Sequence, residues 1–410
     1  MPGIPGQTAR SGALVVDLLI TNVHVMQPGN GVVGDSLRVA EGKVLAVGRS
    51  DHEHTNEAEV IDGGGRLLTP GLVDIHTHGL HQHLYEASTE HLVECAALLG
   101  RYGTTTALPT LYTVMNRPSL PKLESLAEAI ESVDTACLPG FHLEGPFLSV
   151  TGAGAETVPG DVGLLKEVIA ATGNRVTAMS ISPDTPGILP VIQHLSEVGI
   201  VPFITHTRAT PEQTTSAIDA GARHATHFYD VFPVPEETDP GVRPVGAVEA
   251  ILADSRCTVD FIADGVHVHP MAIRAAIAAK GWTAITLITD SNIGAGLPAG
   301  RYDTPWGFQV KTAPGDAARI DNPGHKSHGG LAGSSLTMDR GMSNLRRWLE
   351  LREDQVWAMG TVNPARRLAL KNKGRLHRGA DADIVLWDEN PDGELSAYRT
   401  WVGGRCVFQR

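Results

Sequence analysis

Cysteine is scarce in this chain of 410 residues. Cys95, Cys137, Cys257 and Cys406 lie far apart and form no Cys-x-x-Cys pair, which excludes a disulfide framework and a thiolate zinc site and points to a reducing cytoplasm. No apolar run is long enough to cross a bilayer and no basic-then-apolar leader opens the chain, so neither membrane insertion nor export is expected. Positive charge is also short. Lys and Arg number 33 against 46 Asp and Glu, a formal net charge of -13 with no basic cluster. Nucleic acid and anionic membranes are therefore not expected as partners. There is no Gly-x-Ser-x-Gly elbow, so no serine nucleophile is indicated. The small-residue runs Gly152-Ala153-Gly154-Ala155 and Gly294-Ala295-Gly296 lack a P-loop lysine and read as turns rather than phosphate cradles.

What is present is a pattern of short apolar strands alternating with helical stretches, the rhythm of β-α units around a parallel sheet. Eight strands can be counted: Val73 to His78, Thr104 to Thr110, Gly140 to Pro146, Thr177 to Ser182, Val201 to His206, Ala225 to Phe228, Thr258 to Asp264 and Ala284 to Asp290. Eight closes a barrel. Helices are expected over Glu90 to Leu99, Leu123 to Val133, Val191 to Val198, Ala272 to Lys280 and Met338 to Glu350, where apolar residues recur at helical spacing. At the two ends of the chain, alternating segments such as Leu18 to Val25, Leu37 to Val44, Ala382 to Trp387 and Thr400 to Val407 read as short antiparallel strands sharing one small β-sandwich. The expected architecture is α/β, a (β/α)8 TIM-like barrel over residues 70–365 with a β-sandwich built from 1–69 and 366–410. Gly294 to Ser334, rich in glycine and proline, is expected to be a long loop over the barrel mouth.

The polar residues fall at the C-terminal ends of these strands. His76 and His78, an i, i+2 pair on one face of a strand, end the first; Glu144 ends the third, His206 the fifth, His227 the sixth and Asp290 the eighth. Taken singly, Glu144 reads equally well as a helix-start carboxylate, and the histidines as hydrogen-bonded core residues. Taken together they surround one point on the face where barrel active sites are built, and imidazole with carboxylate suits a divalent metal, zinc or iron.

Longer motifs carry a resemblance. Pro70-Gly71-Leu72-Val73-Asp74-Ile75-His76-Thr77-His78-Gly79, Leu108-Pro109-Thr110-Leu111, His142-Leu143-Glu144-Gly145-Pro146-Phe147 and Ala225-Thr226-His227 occur in order. They are followed by Ala263-Asp264-Gly265-Val266-His267, Thr289-Asp290, Ala295-Gly296-Leu297-Pro298, Gly333-Ser334-Ser335-Leu336-Thr337-Met338 and Asn363-Pro364-Ala365-Arg366. The chain resembles the amidohydrolase superfamily and, within it, the N-acetylglucosamine-6-phosphate deacetylase family. That resemblance implies one metal on Glu144, His206 and His227, and a second on His76 and His78 with Glu144 shared. No lysine ends the fourth strand, where some relatives carry a carbamylated bridge. The resemblance also implies that Asp290 is general base and acid, or else only a further metal ligand. His267 is implied to hold substrate, and two copies to form a homodimer. The expected chemistry is amide hydrolysis, in which a metal that lowers the pKa of water from about 15.7 towards 7 supplies the nucleophile and Asp290 moves the proton.

Three departures from the family add negative charge. Glu156 stands where a histidine or glutamine meets the acyl carbonyl, and Tyr229-Asp230-Val231-Phe232 replaces Tyr-Asn-Ala-Met. Glu236-Glu237-Thr238-Asp239 replaces a phosphate-binding arginine, with Arg243 close by. Like charges in a partly buried site repel by kilocalories, so a phosphorylated sugar competes with another small amide, such as an N-acyl amino acid, as the expected substrate. Arg208 and His81-Gln82-His83 are candidate replacements for the anion site, and also ordinary polar loop residues of a wet barrel mouth. A non-catalytic binding protein on the same fold is the third reading, disfavoured by the intact set of ligands with Asp290.

Overall fold

The computed structural model describes residues 17–48, 58–152 and 157–410. Its centre is an eight-stranded parallel sheet whose members follow chain order: β1 (Leu72–Thr77), β2 (Thr104–Leu111), β3 (Phe141–Glu144), β4 (Val176–Ile181), β5 (Val201–Ile204), β6 (His224–Ala225), β7 (Thr258–Ile262) and β8 (Ile285–Ile288). The backbone N–H of Asp290, just past β8, donates to the carbonyl of His76 in β1 at 2.9 Å and draws the two ends of the sheet together. Every residue of β1 and β2 is buried, as strands covered on both faces must be, which is why they read as near-continuous apolar runs.

All eight expected strands are present, but several stop short of the polar residues expected to end them. The cause is local. His206, His227 and Asp290 have φ of +47°, +34° and +48°, values a strand cannot hold, so the ladder breaks and the chain turns outward there. The five expected helices occur within a few residues of their predicted bounds. Further helices join them, including Val162–Ala171, capped by the Asp161 carboxylate, and Pro211–Ala220, opened by a Thr210/Gln213 capping box.

Both ends of the chain enter one separate eight-stranded sheet, with strands at Leu18–Gln27, Gly31–Gly34, Ser36–Ala40, Lys43–Gly48 and Glu59–Pro70, then Ile384–Glu389, Leu395–Val402 and Arg405–Gln409. Leu18, Ile20, Val25, Leu37, Val39, Leu68, Leu386 and Trp401 form its core. The pairing is not antiparallel throughout, because Leu18–Gln27 runs parallel to Glu59–Pro70. The segment Leu37 to Val44 is two strands, broken at Glu41 and Gly42, both with positive φ. Lys373 joins this region to Asp381 at 3.0 Å and Asp383 at 2.6 Å, and Asp381 also pairs with Lys43.

The stretch from Gly294 to Ser334 is not a plain loop. It folds into a three-stranded antiparallel sheet of Gly300–Asp303, Gln309–Thr312 and Arg319–Asp321. Val310 and Ile320 anchor it on Leu84, Ile293 and Ala332, and its Trp306 reaches Tyr112, which lies against His78. No helix among the described residues is long and apolar enough to cross a membrane.

Candidate metal centre

Side chains from the ends of β1, β3, β5, β6 and β8 converge on one point. Glu144, the last residue of β3, places Oε1 3.0 Å from His227 Nε2 and 3.2 Å from His206 Nε2, while its Oε2 lies 3.2 Å from His78 Nε2 and 3.7 Å from His76 Nε2. Asp290 Oδ1 lies 3.1 Å from His78 Nε2 and 3.4 Å from His76 Nε2. The ligand atoms of His76, Glu144 and His227, and those of His76, His78 and Asp290, each fall within 4.8 Å of one another. His206 stands outside both triads but keeps its contact with Glu144. All six residues are buried.

Backbone carbonyls set the tautomers. His78 Nδ1 lies 3.2 Å from the Thr110 carbonyl and His206 Nδ1 3.2 Å from the Val150 carbonyl. A carbonyl only accepts, so Nδ1 carries the proton in each and Nε2 presents its lone pair to the carboxylates. His76 Nε2 and His78 Nε2 are themselves 3.3 Å apart. Converging lone pairs and carboxylates repel unless positive charge lies among them, and histidines supply all the ion-pair partners of Glu144 and Asp290 among the described residues.

Protonation of the rings is one answer. Burial opposes a charge on His78, but the hydrogen bonds and charges of Asp290 and Glu144 outweigh it and raise the group to about 10. His227 rises to about 10 in the same way, burial opposing and Glu144 prevailing. Burial works to raise Asp290 and Glu144, yet the imidazoles hold Asp290 at about 2 and Glu144 well below the usual carboxylate range. A divalent cation supplies the same charge without a second proton on each ring, and the nitrogen and oxygen donors suit it. The residues present fit such an ion.

The surroundings keep these rings in place. Thr226 Oγ1 is 2.9 Å from His76 Nδ1, and His142 packs edge-on against His76 with its Nε2 2.8 Å from Ser180 Oγ. Gly152 lies so close to His206 that a Cβ would stand 2.4 Å from its Cε1. Tyr112, one residue past β2, sets its ring edge-on to His78, and Glu86 holds the Tyr112 and Thr113 N–H groups at 2.9 and 3.1 Å.

The remaining expected residues are more scattered. His267 is enclosed, its Nδ1 2.6 Å from Asp264 Oδ2, whose other oxygen accepts the Val266 and His267 N–H groups. Burial lowers its pKa and Asp264 more than restores it, for a net rise. Tyr229 is half-buried against Phe228 and Phe261, and the Asp230 N–H bonds the His227 carbonyl at 2.9 Å. Arg208 is exposed two residues past His206. Arg243 is exposed too and pairs with Glu249 at 2.9 Å. His81 Nε2 is engaged by Tyr102 Oη at 2.7 Å. Glu156 lies outside the described residues.

Tyr112, His142, Asp264 and the buried pair His224–Asp260 were not singled out by sequence reasoning. The first three lie in or beside motifs already quoted, so their neighbours pointed to them. His224 and Asp260 lie inside the barrel and resemble ordinary core polar residues.

An eight-stranded parallel barrel with imidazoles and carboxylates gathered at the carboxyl ends of its strands is built like a metal-dependent amidohydrolase, and the amidohydrolase family profile matches residues 67–407. The N-acetylglucosamine-6-phosphate deacetylase of Lysinibacillus sphaericus is 32% identical over 401 residues, 96% of this chain and 98% of that protein. The enzyme of the same name from Vibrio furnissii is 32% identical over 90% of this chain and 89% of its own length. The N-acetyl-D-glucosamine-6-phosphate deacetylase of Mycobacterium smegmatis, solved as a mutant in complex with N-acetyl-D-glucosamine-6-phosphate, superposes with a TM-score of 0.82 at 28% identity, covering 96% of this chain and all of that one. The chain belongs to the amidohydrolase family and, within it, to the N-acetylglucosamine-6-phosphate deacetylase family.

Proposed function

We propose that this protein removes the acetyl group from N-acetylglucosamine 6-phosphate or a close relative by metal-dependent hydrolysis. The observation that carries the reading is the Glu144 carboxylate shared between His206 and His227 on one oxygen and His76 and His78 on the other. We assign one metal to Glu144, His206 and His227, and a second to His76 and His78 with Glu144 shared and Asp290 facing both rings. Zinc and iron match this nitrogen and oxygen set equally. Such an ion supplies Lewis-acid charge that polarises an amide carbonyl and makes water acidic enough to attack near neutral pH.

Asp290 is ionised at neutral pH and is the base. It takes a proton from the attacking water as the water oxygen bonds to the acyl carbon. It then gives that proton to the amine nitrogen as the C–N bond breaks, releasing acetate and an amino sugar. His267, its Nδ1 committed to Asp264, offers its other nitrogen to the substrate. We assign Arg208 to the phosphate, and place Tyr229 and Asp230 beside the sugar.

A second reading, a substrate without phosphate, is favoured by Asp230 beside His227 and by Arg243 being engaged with Glu249. An N-acetylgalactosamine-6-phosphate deacetylase of Escherichia coli O157:H7 is 28% identical over 90% of this chain, which makes the galactosamine sugar a further candidate substrate. A homodimer is the assembly we infer, and the exposed Val234, Val242 and Val245 on the loop that follows His227 offer it an apolar surface. The cytoplasm is the compartment we infer, in keeping with four free cysteines.

The test is acetate release from N-acetylglucosamine 6-phosphate, its galactosamine counterpart, unphosphorylated N-acetylglucosamine and a panel of N-acyl amino acids. Preference for the sugar phosphates upholds the first reading. Turnover confined to an uncharged sugar or an amino acid replaces it with the second.

A further inference from the structure

We propose that His224 and Asp260, which touch none of the reacting groups, form a positioning unit that sets how His227 meets Glu144 and thereby sets the metal affinity of the centre. The inference rests on the metal-centre reading above and names the device that makes it work.

Both side chains are completely buried. Asp260, in the middle of β7, is fully committed. Its Oδ1 accepts the His227 N–H at 2.5 Å, its Oδ2 lies 2.8 Å from His224 Nε2, and its backbone carbonyl accepts the Phe228 N–H at 3.0 Å. His224 Nδ1 is in turn 2.6 Å from Thr258 Oγ1. Burial lowers the His224 pKa despite Asp260, so the ring is neutral, with Nε2–H donating to the carboxylate and Nδ1 accepting from the threonine.

A buried carboxylate and imidazole are a costly way to fill a barrel, and apolar residues of equal volume often do so at no loss of stability. Their contribution here is geometric. His227 holds φ at +34°, a conformation that is strained for a non-glycine residue and persists only where its neighbours enforce it. Asp260 grips the chain on both sides of that point, through the His227 and Phe228 N–H groups. Released, His227 relaxes toward ordinary backbone angles and its Nε2 leaves Glu144. The unit also lies beneath the rest of the site, since the His224 ring packs on Phe203, Phe203 on His142, and His142 on His76.

The test compares wild-type protein with Asp260→Ala and Asp260→Asn. Zn2+ affinity is measured by competition with a chromophoric chelator, alongside the melting temperature of metal-free protein and kcat for acetate release. An asparagine Oδ1 still accepts the His227 N–H, and its amide donates to His224 once that ring exchanges tautomers. The expected result is a loss of about 10–100-fold in Zn2+ affinity for Asp260→Ala, the usual effect of removing a group that orients a ligand. Asp260→Asn is expected to stay within a few-fold of wild type. Equal Zn2+ affinity in wild type and Asp260→Ala overturns the inference, and so does an asparagine variant as impaired as the alanine one. Wild-type protein that takes up neither Zn2+ nor Fe2+ overturns the metal-centre reading itself and this inference with it. If Asp260→Ala does not fold, the comparison of Asp260→Asn with His224→Phe decides, the second variant being the one expected to lose affinity.

Discussion

Asp290 Oδ1 lies 3.1 Å from His78 Nε2, a contact between the two edges of the barrel sheet, past β8 and past β1. Barrel closure thus puts the proposed acid and base beside the His-x-His pair. Asp290→Asn removes the base but keeps an oxygen toward the imidazoles. It is expected to lower kcat by about 10²–10⁴-fold, the usual contribution of a general base. Metal content measured by atomic emission is expected to stay near wild type. Unchanged kcat would take Asp290 out of that role.

Gly152 gives a steric prediction. A methyl group there meets the His206 ring at 2.4 Å, and a ring displaced from Glu144 no longer completes the proposed ligand set. Gly152→Ala is expected to weaken Zn2+ binding by about tenfold or more, the scale on which ligand orientation acts. Chelator competition measures it, and affinity equal to wild type would mean that the loop yields instead of the ring.

The Asp264–His267 pair makes a pH-dependent prediction. The His267 pKa is raised in the folded protein, so its protonated form is stabilised by folding. The contribution is complete below the unfolded value of about 6.5 and fades as pH rises through the raised folded value. Asp264→Asn should therefore lower the melting temperature more at pH 5.5 than at pH 9. A gap that does not shrink with rising pH would show that the pair adds no pH-dependent stability.

Lys373 tests the terminal sheet apart from catalysis. Its partner Asp383 is almost wholly buried, and Lys373→Ala leaves that carboxylate without its cation. The expected cost is about 3–5 kcal/mol by denaturant unfolding. The Asp381 pKa is depressed, burial being outweighed by Lys373 and Lys43. Its share of stability is present above the unfolded carboxylate value and is lost as pH falls through the folded one. The wild-type advantage should accordingly narrow in acid, and a gap that widens there would contradict it.

The barrel was legible because its strands are buried on both faces and stand out as short apolar runs, Leu72–Thr77 and Ile285–Ile288 among them. The gathering of imidazoles and carboxylates was legible because packing alone rarely closes several such runs with these residues at the same end. Strand ends were read too long where His206, His227 and Asp290 adopt left-handed backbone, which side-chain identity does not reveal. The sheet between Gly300 and Asp321 was missed since its strands are three or four residues long, with Val310 and Ile320 as their buried apolar anchors. His224 and Asp260 escaped notice on different grounds. They lie 36 residues apart in sequence, and only the β6–β7 pairing brings them together.

The most direct measurement is acetate release from N-acetylglucosamine 6-phosphate before and after the protein is stripped by a chelator, with metal counted at each stage and Zn2+ or Fe2+ then restored. Turnover is expected to disappear with the metal, to return on its addition, and to fail to return in Glu144→Gln. Full turnover by protein shown to hold no metal would contradict the proposed metal dependence.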